Sequence, residues 1–422
     1  MFNREQTVAF NILNTGRNVF LTGDAGVGKS YIIQKFIEHQ ESMGKEVLVC
    51  APTGIAAINV NGVTIHRAFD VPLKPLVESP KSIPAILRNV SVIIIDEISM
   101  CRIDLFDYIS KIILNLNIHR RKNKLSDVQL VVVGDFFQLP PVLKEKDKEI
   151  LENYYGRTLY SAFAFKSDYW KMFNFVNIVL TESMRQNNRE FKYYLNMARK
   201  GNKNCIKYFM SQSSKHKIQN AITVCGLNKT AREINISELD KLKEKPICYI
   251  ADKNGVVTDS DKMVDDELVL KVGARVMSVV NDIKGEYQNG SLGTVLRLND
   301  NSVVVQMDNG NTVRLEKYEW SIEDYILQED EKGKRKLTKT TIGTYKQIPL
   351  KIAYAITIHK SQGQTYDAVN IDPYCWDYGQ LYVALSRAKD IKNMHILNNI
   401  KSEWLKASLD VQTFYNQISK ST

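Results

Sequence analysis

Three stretches of this chain carry residue types that act on phosphate. GDAGVGKS, Gly23–Ser30, sets three glycines beside a lysine and a serine. Between a strand and a helix, such a turn points backbone N–H groups at an anion, and the helix start adds positive potential. Gly23, Ala25, Gly26, Val27 and Gly28 would line the cradle, Lys29 would reach the β- and γ-phosphates, and the Ser30 hydroxyl would bind magnesium. VIIIDE, Val92–Glu97, is an apolar strand ending in two acids. Asp96 is placed to hold Mg2+ and Glu97 to orient or deprotonate an attacking water. A glycine turn used only for packing leaves Lys29 unexplained, and a pair of surface acids leaves the apolar run before them unexplained. VVVGDFFQLPPV, Val131–Val142, ends a third strand in the same way, with Gln138 just past Asp135. Gln138 can hydrogen-bond a γ-phosphate or the water, although a loop glutamine is otherwise simply solvated. The set implies ATP with Mg2+, and hydrolysis as well as binding.

Two arginines extend this chemistry. Arg185 in LTESMRQ follows an apolar strand, and Arg387 in LYVALSRAK sits late on a helix. A guanidinium offered from a second domain would stabilise transition-state charge and couple hydrolysis to closure. A surface salt bridge is the plainer use of either. APTGIAAINVNGVTIH clusters Thr53, Gly54, Asn61, Thr64 and His66 after a strand, and ITIHKSQGQT gathers Thr357, His359, Lys360 and Ser361 likewise. Small hydroxyls and helix-start amides suit sugar-phosphate contacts. The same threonines also serve as helix N-caps, and the histidines as buried, hydrogen-bonded groups. The basic run HRRKNK, His119–Lys124, reads as a solvated loop.

The elements that must position these residues follow an α/β rhythm. Asn18–Leu21, Glu46–Ala51, Val92–Asp96 and Gln129–Gly134 are continuous apolar runs, as in strands buried on both faces of a parallel sheet. Ser30–Ser42 and Ile103–Leu116 read as helices between them. The pattern restarts with strands at Phe175–Leu180, Ala221–Cys225, Ala368–Ile371 and Met394–Leu397. Helices are expected around Arg189–Lys200, Lys229–Lys243 and Tyr378–Ala388. Ligands gather at the carboxyl ends of strands in such sheets. From Leu268 to Ile342 the rhythm becomes short β runs joined by Asn-Gly and Asp-Asn-Gly turns, the mark of antiparallel hairpins. A small β-barrel inserted into a second α/β domain is expected there, closed by the charged stretch EDEKGKRK. The expected division is 1–182 for a first domain, 183–267 with 343–422 for a second, and 268–342 for the insert.

Bulk properties bound the reading. A chain of 422 residues, 44% apolar and 25% charged, suits two or three folded domains. No run is long and apolar enough to span a bilayer. MFNREQTVAF has neither a secretory nor a transit-peptide pattern, so residence in the compartment of synthesis is expected. That means the cytoplasm or nucleoid in a bacterium, and the nucleus or mitochondrion in a eukaryote. Cys50, Cys101, Cys205, Cys225, Cys248 and Cys375 stand singly, suggesting neither a disulfide framework nor a zinc site. A net charge of +10 and a pI near 9.0 suit a polyanionic partner.

In this order the motifs resemble the superfamily-one B-branch helicases, specifically the Pif (petite integration frequency) DNA helicase family. TGIAAINVNGVTIH, GDFFQLPPV, LTESMRQ, ITIHKSQG and YVALSRAK are each close to that family's wording, and EISMCRIDLFD resembles its segment after the acidic motif. The likeness runs from Arg4 to Lys389. Met184 and Gln364 depart from it, standing where the family usually has an aromatic and an apolar residue. The resemblance implies two RecA-like P-loop motor domains, with a Src-homology-three-like barrel in the second. It implies a short wedge within Phe69–Asn89 and 5′-to-3′ travel on single-stranded DNA ahead of forked or tailed duplex. By the same likeness Gln6 reads the adenine, Gly363 joins the nucleotide contacts, Pro140 joins the DNA contacts, and the protein is a monomer in solution. Action on G-quadruplexes or RNA–DNA hybrids is left open. So are two other readings, a strand translocase within a larger machine and a nucleotide-gated binding module.

Overall fold

Five apolar runs and one two-residue strand assemble into a single parallel sheet in the computed structural model, which describes residues 2–72, 74–182, 188–282, 284–329 and 335–419. The strands are β1 (Val19–Gly23), β2 (Val47–Ala51), β3 (Val63–Thr64), β4 (Val92–Ile95), β5 (Gln129–Val133) and β6 (Val176–Leu180), in the order β3-β2-β4-β5-β1-β6. Every neighbouring pair is parallel, so all carboxyl ends share one edge. The runs are unbroken because both faces are covered. Phe20, Leu48, Cys50, Ile93, Ile95, Leu130 and Val132 point into one core. Leu21, Val47, Val49, Val92, Ile94, Val131 and Val133 point into the other.

Helices α1 (Arg4–Leu13) and α2 (Lys29–Ser42) fill the second core with Ala9, Leu13, Ile32, Ile33 and Phe36. Two short helices, α3 (Gly54–Asn59) and α4 (Ile65–Ala68), follow β2 and β3. The first core is filled by α5 (Ile103–Lys122) and by the C-terminal helix Leu409–Ile418, whose Val411, Phe414, Tyr415 and Ile418 are buried in it. The HRRKNK stretch is corrected here: α5 runs on to Lys122. Arg120 is buried and donates to the carbonyls of Ser126, Arg88 and Val90, so it ties a helix end down.

The second compact unit has a parallel sheet of its own. Its strands β7 (Ile222–Cys225), β18 (Ala355–Thr357), β19 (Val369–Ile371) and β20 (Met394–Ile396) lie in the order β18-β7-β19-β20. Intervening β8 (Ile247–Ile250), β9 (Asp252–Gly255) and β10 (Glu267–Leu270) lead into a five-stranded antiparallel sheet. That sheet is made of β11 (Arg275–Ser278), β12 (Leu292–Asn299), β13 (Ser302–Met307), β14 (Thr312–Glu316) and β17 (Leu350–Ile352), ordered β14-β13-β12-β11-β17. Two long strands, β15 (Tyr318–Glu329) and β16 (Arg335–Gln347), join β9 in a third sheet. The antiparallel region is therefore wider than 268–342. β8 and β9 precede it and β17 follows it, because Tyr249, Ile348 and Leu350 share one core with Val276, Val303 and Val305. Of EDEKGKRK, positions 330–334 lie outside the described residues, and Arg335 already belongs to β16.

The chain divides into two compact units, one of Met1–Arg185 with Glu323–Thr340 and Ala407–Thr422, the other of Gln186–Ile322 with Thr341–Lys406. The C-terminal segment thus departs from the sequence expectation, which placed it in the second domain. The reason is the apolar face of the last helix, fixed further by Asp410, which accepts from Ser161 Oγ and Lys166 Nζ at 2.6 Å each. The Arg67 guanidinium likewise donates to the Glu323 carbonyl at 3.1 Å. No helix among the described residues is long and apolar enough to cross a membrane.

Candidate functional site

The phosphate-type residues of the first unit meet at the shared carboxyl edge. β1 ends at Gly23, whose φ of 146° and closeness to β6 exclude a side chain: a Cβ there would lie 2.3 Å from the Leu180 carbonyl oxygen. The turn runs through Gly26 to Gly28, the α2 N-cap, at φ 84°. With no side chain on this cap, the first N–H groups of the helix face the turn. Lys29 folds over it, Nζ lying 2.9 Å from the Gly23 carbonyl and 3.0 Å from that of Asp24. Ser30 is exposed in the first turn of the helix.

Asp96 and Glu97 leave the tip of β4, two strands from β1. Burial pushes the Asp96 carboxyl above its ordinary range, while the Glu97 N–H and the Lys29 ammonium oppose the shift. Glu97 stands in the left-handed region at φ 50°, a strained backbone for a residue with a Cβ. Between them, β5 ends in the Asp135 turn. The Asp135 carbonyl accepts the Gln138 N–H at 2.9 Å, its Oδ1 accepts the Phe137 N–H at 3.1 Å, and Gln138 and Pro140 are buried.

This donor set fits MgATP. The cradle supplies N–H groups and a lysine, and Asp96 is a carboxylate whose burial a divalent cation would relieve. Among the described residues no three His, Cys, Asp or Glu side chains cluster as a metal site. A magnesium ion that kept most of its waters would need only Ser30 and Asp96 from the protein.

Gln6, assigned to adenine by likeness, packs under the phosphate turn. It is buried, its Nε2 donates to the Val27 carbonyl at 3.4 Å, and it closes a capping box with Asn3. In this structure Gln6 therefore braces the phosphate turn itself. Glu5, beside it, accepts from the N–H groups of Thr181 and Glu182 and from Thr181 Oγ1. Arg185 and Met184 lie outside the described residues.

On the same edge, β2 and β3 carry the other polar cluster. Thr53 Oγ1 accepts the Ala56 N–H, and Thr64 Oγ1 accepts the Arg67 N–H, each at 3.3 Å, so both hydroxyls cap helix starts. Gly54 opens α3, and Asn61 takes the left-handed turn at φ 52°. Burial and the nearby Arg102 hold His66 below the ordinary imidazole range against the opposing pull of Asp104. Asp104 itself is fully buried, pairs with both Nε and Nη2 of Arg102, and accepts the Leu76 N–H at 3.0 Å. It thereby pins the 69–89 segment to the start of α5.

In the second unit, β18 ends at Thr357, which accepts the Lys360 N–H at 3.5 Å. Ser361 is buried and its hydroxyl donates to the Ile358 carbonyl, while Lys360 is exposed. Burial lowers the His359 imidazole, with Asp377 opposing. Gly363 adopts φ 81° with open space at its Cβ position. Arg387 is 1% exposed and donates to the carbonyls of Val383, Ser361 and Gln364 at 2.8 Å each, and to Ser386 Oγ at 2.7 Å. The helix expected to carry it stops at Leu385, so Arg387 lies just past the helix end, where it staples the Ser361–Gln364 turn to Gln380–Leu385.

Sequence reasoning did not find Tyr415, Thr22 or the Glu5 anchor. Tyr415 lies in a short amphipathic stretch, and its partner Thr22 is 393 residues away, so no local signal marks the pair.

The model of the PIF1-like helicase family matches residues 1–239, and that of the UvrD-like helicase C-terminal domain matches residues 352–390. The ATP-dependent DNA helicase Pif1 of Campylobacter jejuni is 32% identical over 446 residues, covering 95% of this chain and 94% of that protein. The structure of Bacteroides sp Pif1 in complex with ADP-AlF4 matches with a TM-score of 0.84 at 33% identity, covering 100% of this chain and 98% of that one. Bacteroides Pif1 bound to ssDNA matches at 0.69, with 33% identity and coverage of 100% and 98%. With a phosphate cradle, acidic pair and glutamine turn on one sheet edge, and with likeness over nearly its whole length, this chain belongs to the PIF1-like helicase family.

Proposed function

We propose that this ATP-dependent DNA helicase tracks 5′ to 3′ on single-stranded DNA and opens the duplex ahead of it, working as a monomer. Ser30 and Asp96 would hold a magnesium ion, which would supply neutralisation of the phosphate charge that opposes attack. Lys29 releases its own loop carbonyls to meet phosphate, Glu97 orients the water, and Gln138 contacts the γ-phosphate. Arg185 and Arg387 are the guanidinium candidates. For Arg387 this role requires leaving the carbonyls that now hold it. Gly363 would join the nucleotide contacts.

Thr53, Gly54, Asn61, Thr64, His66 and Pro140 in the first unit, and Thr357, His359, Lys360 and Ser361 in the second, would grip the strand. Because Thr53 and Thr64 already cap helices and Thr357 a turn, backbone amides at the capped starts would carry much of the phosphate contact. The 69–89 segment, tied down through Asp104, is the candidate wedge, and the antiparallel sheets of the second unit are the candidate Src-homology-three-like insert. One observation carries the reading. The nucleotide residues on β1, β4 and β5 and the strand-gripping residues on β2 and β3 occupy the same edge of one sheet, so a change at either set reaches the other through shared strands. Unwinding of duplexes bearing a 5′ or a 3′ single-stranded tail tests it. The 5′-tailed substrate should open; preference for the 3′ tail overturns the polarity. DNA-dependent hydrolysis without strand separation would mark a translocase instead.

A further inference from the structure

We propose that Tyr415, on the C-terminal helix, is a positioning residue for ATP hydrolysis, locking the Gln138 turn to the phosphate turn. The inference rests on the Gln138 role proposed above. Its basis is a buried junction within the first unit. The Tyr415 oxygen lies 2.5 Å from Thr22 Oγ1, 3.3 Å from the Phe136 N–H nitrogen, and 3.4 Å from Asp135 Oδ1. Thr22 immediately precedes Gly23, and Asp135 and Phe136 open the turn that places Gln138. The phenol therefore joins the carboxyl ends of β1 and β5, neighbouring strands whose ladder stops at Leu21 and Val133.

The donors and acceptors at this junction match. A phenol donates one hydrogen bond and accepts up to two. Thr22 Oγ1–H and the Phe136 N–H can donate to it, and its own proton goes to the Asp135 carboxylate, leaving no buried polar atom of the three without a partner. Asp135 passes the constraint on, since it also receives the N–H groups of Phe137 and Gln138.

Packing fixes the ring as well as the oxygen. Tyr415 stacks on Phe137 at 4.9 Å and 26°. The adjacent Phe414 stacks on Phe165 at 4.4 Å and 14°. Packing alone would need only phenylalanine at 415. The hydroxyl adds the tie between two turns that must hold a fixed separation if Gln138 is to sense a phosphate cradled by the other. Small displacements of such a group cost far more rate than binding.

The test compares Tyr415→Phe, Gln138→Ala and the double variant in steady-state ATP hydrolysis at saturating oligothymidylate. Tyr415→Phe should lower kcat on the order of 10- to 100-fold with KM for ATP unchanged. The double variant should be no slower than Gln138→Ala alone, because both changes act through one group. Wild-type kcat in Tyr415→Phe, or effects that multiply in the double variant, overturns the proposal. Gln138→Ala with wild-type kcat would instead remove the sensor role and the Tyr415 proposal with it. Should Tyr415→Phe fail to fold, Thr22→Val removes the other oxygen at similar volume and must show the same split of kcat from KM; an unaltered kcat there counts equally against it.

Discussion

The Lys29 ammonium lies 2.9 Å from the Gly23 carbonyl oxygen, so the lysine proposed to meet phosphate is held across its own turn. On the role proposed for Lys29, ATP binding would exchange these two carbonyl partners for phosphate oxygens, a stronger charge-assisted set. Lys29→Ala should abolish ATPase and unwinding together while the fold persists. Thermal melting alongside ATPase checks this; retained hydrolysis would remove Lys29 from the site.

Glu97 keeps a strained left-handed backbone at the tip of β4, which the sequence alone gives no reason to tolerate. Glu97→Gln keeps the shape and removes the base. ATP and DNA affinities should be retained while turnover falls by about 10²-fold or more. Normal hydrolysis in this variant would assign activation of the water elsewhere.

Two glycines of the cradle should respond unequally to alanine. At Gly23 a Cβ meets the Leu180 carbonyl oxygen at 2.3 Å, and that backbone belongs to a paired strand that cannot give way. At Gly28 the obstacle is the Gln6 amide at 2.6 Å, the movable end of a side chain, so the main cost is the left-handed φ, about 1–2 kcal/mol. Gly23→Ala should therefore destabilise the protein more than Gly28→Ala in denaturant titrations. Equal losses would contradict the contact argument.

Burial lowers both His66 and His359, so near neutral pH each ring is uncharged and can only hydrogen-bond a strand. Lys360, exposed, is the charge in its loop. Lys360→Ala should reduce the slope of log affinity against log salt by about one. His66→Gln and His359→Gln should leave that slope unchanged, even where the affinity itself falls. A slope change with either histidine would show that DNA binding protonates it.

Arg387 is buried and makes four donations to its own unit, three of them to carbonyls. Arg387→Ala leaves those acceptors without their partner, at a cost of about 3 kcal/mol or more. Its ATPase should fall much further than its DNA affinity. Unchanged thermal stability would show that the staple contributes little. Unchanged hydrolysis would remove Arg387 from the nucleotide chemistry.

The sequence was most informative where physics is local. Buried parallel strands need unbroken apolar runs, so β1, β2, β4 and β5 were placed within a residue or two, and with them the cradle and the acids. Turn chemistry marked Gly290 and Gly310, both at positive φ. Legibility ended where contacts span the chain. HRRKNK looked solvated because charge dominates its composition, yet Arg120 is consumed by three carbonyls. The last helix looked like the end of the second domain, because nothing in DVQTFYNQI names the core that its Phe414 and Tyr415 enter. Nothing in NREQ told that the Gln6 side chain also donates to the Val27 carbonyl, 21 residues on in the phosphate turn.

The most direct test of the whole account is the rate of ATP hydrolysis by the purified protein with and without a single-stranded oligonucleotide at fixed Mg2+. If gripping residues and the phosphate cradle share one sheet edge for a reason, the strand should accelerate hydrolysis strongly, and Lys29→Ala should erase both rates. Equal rates in the presence and absence of the strand would contradict the coupling on which the account stands.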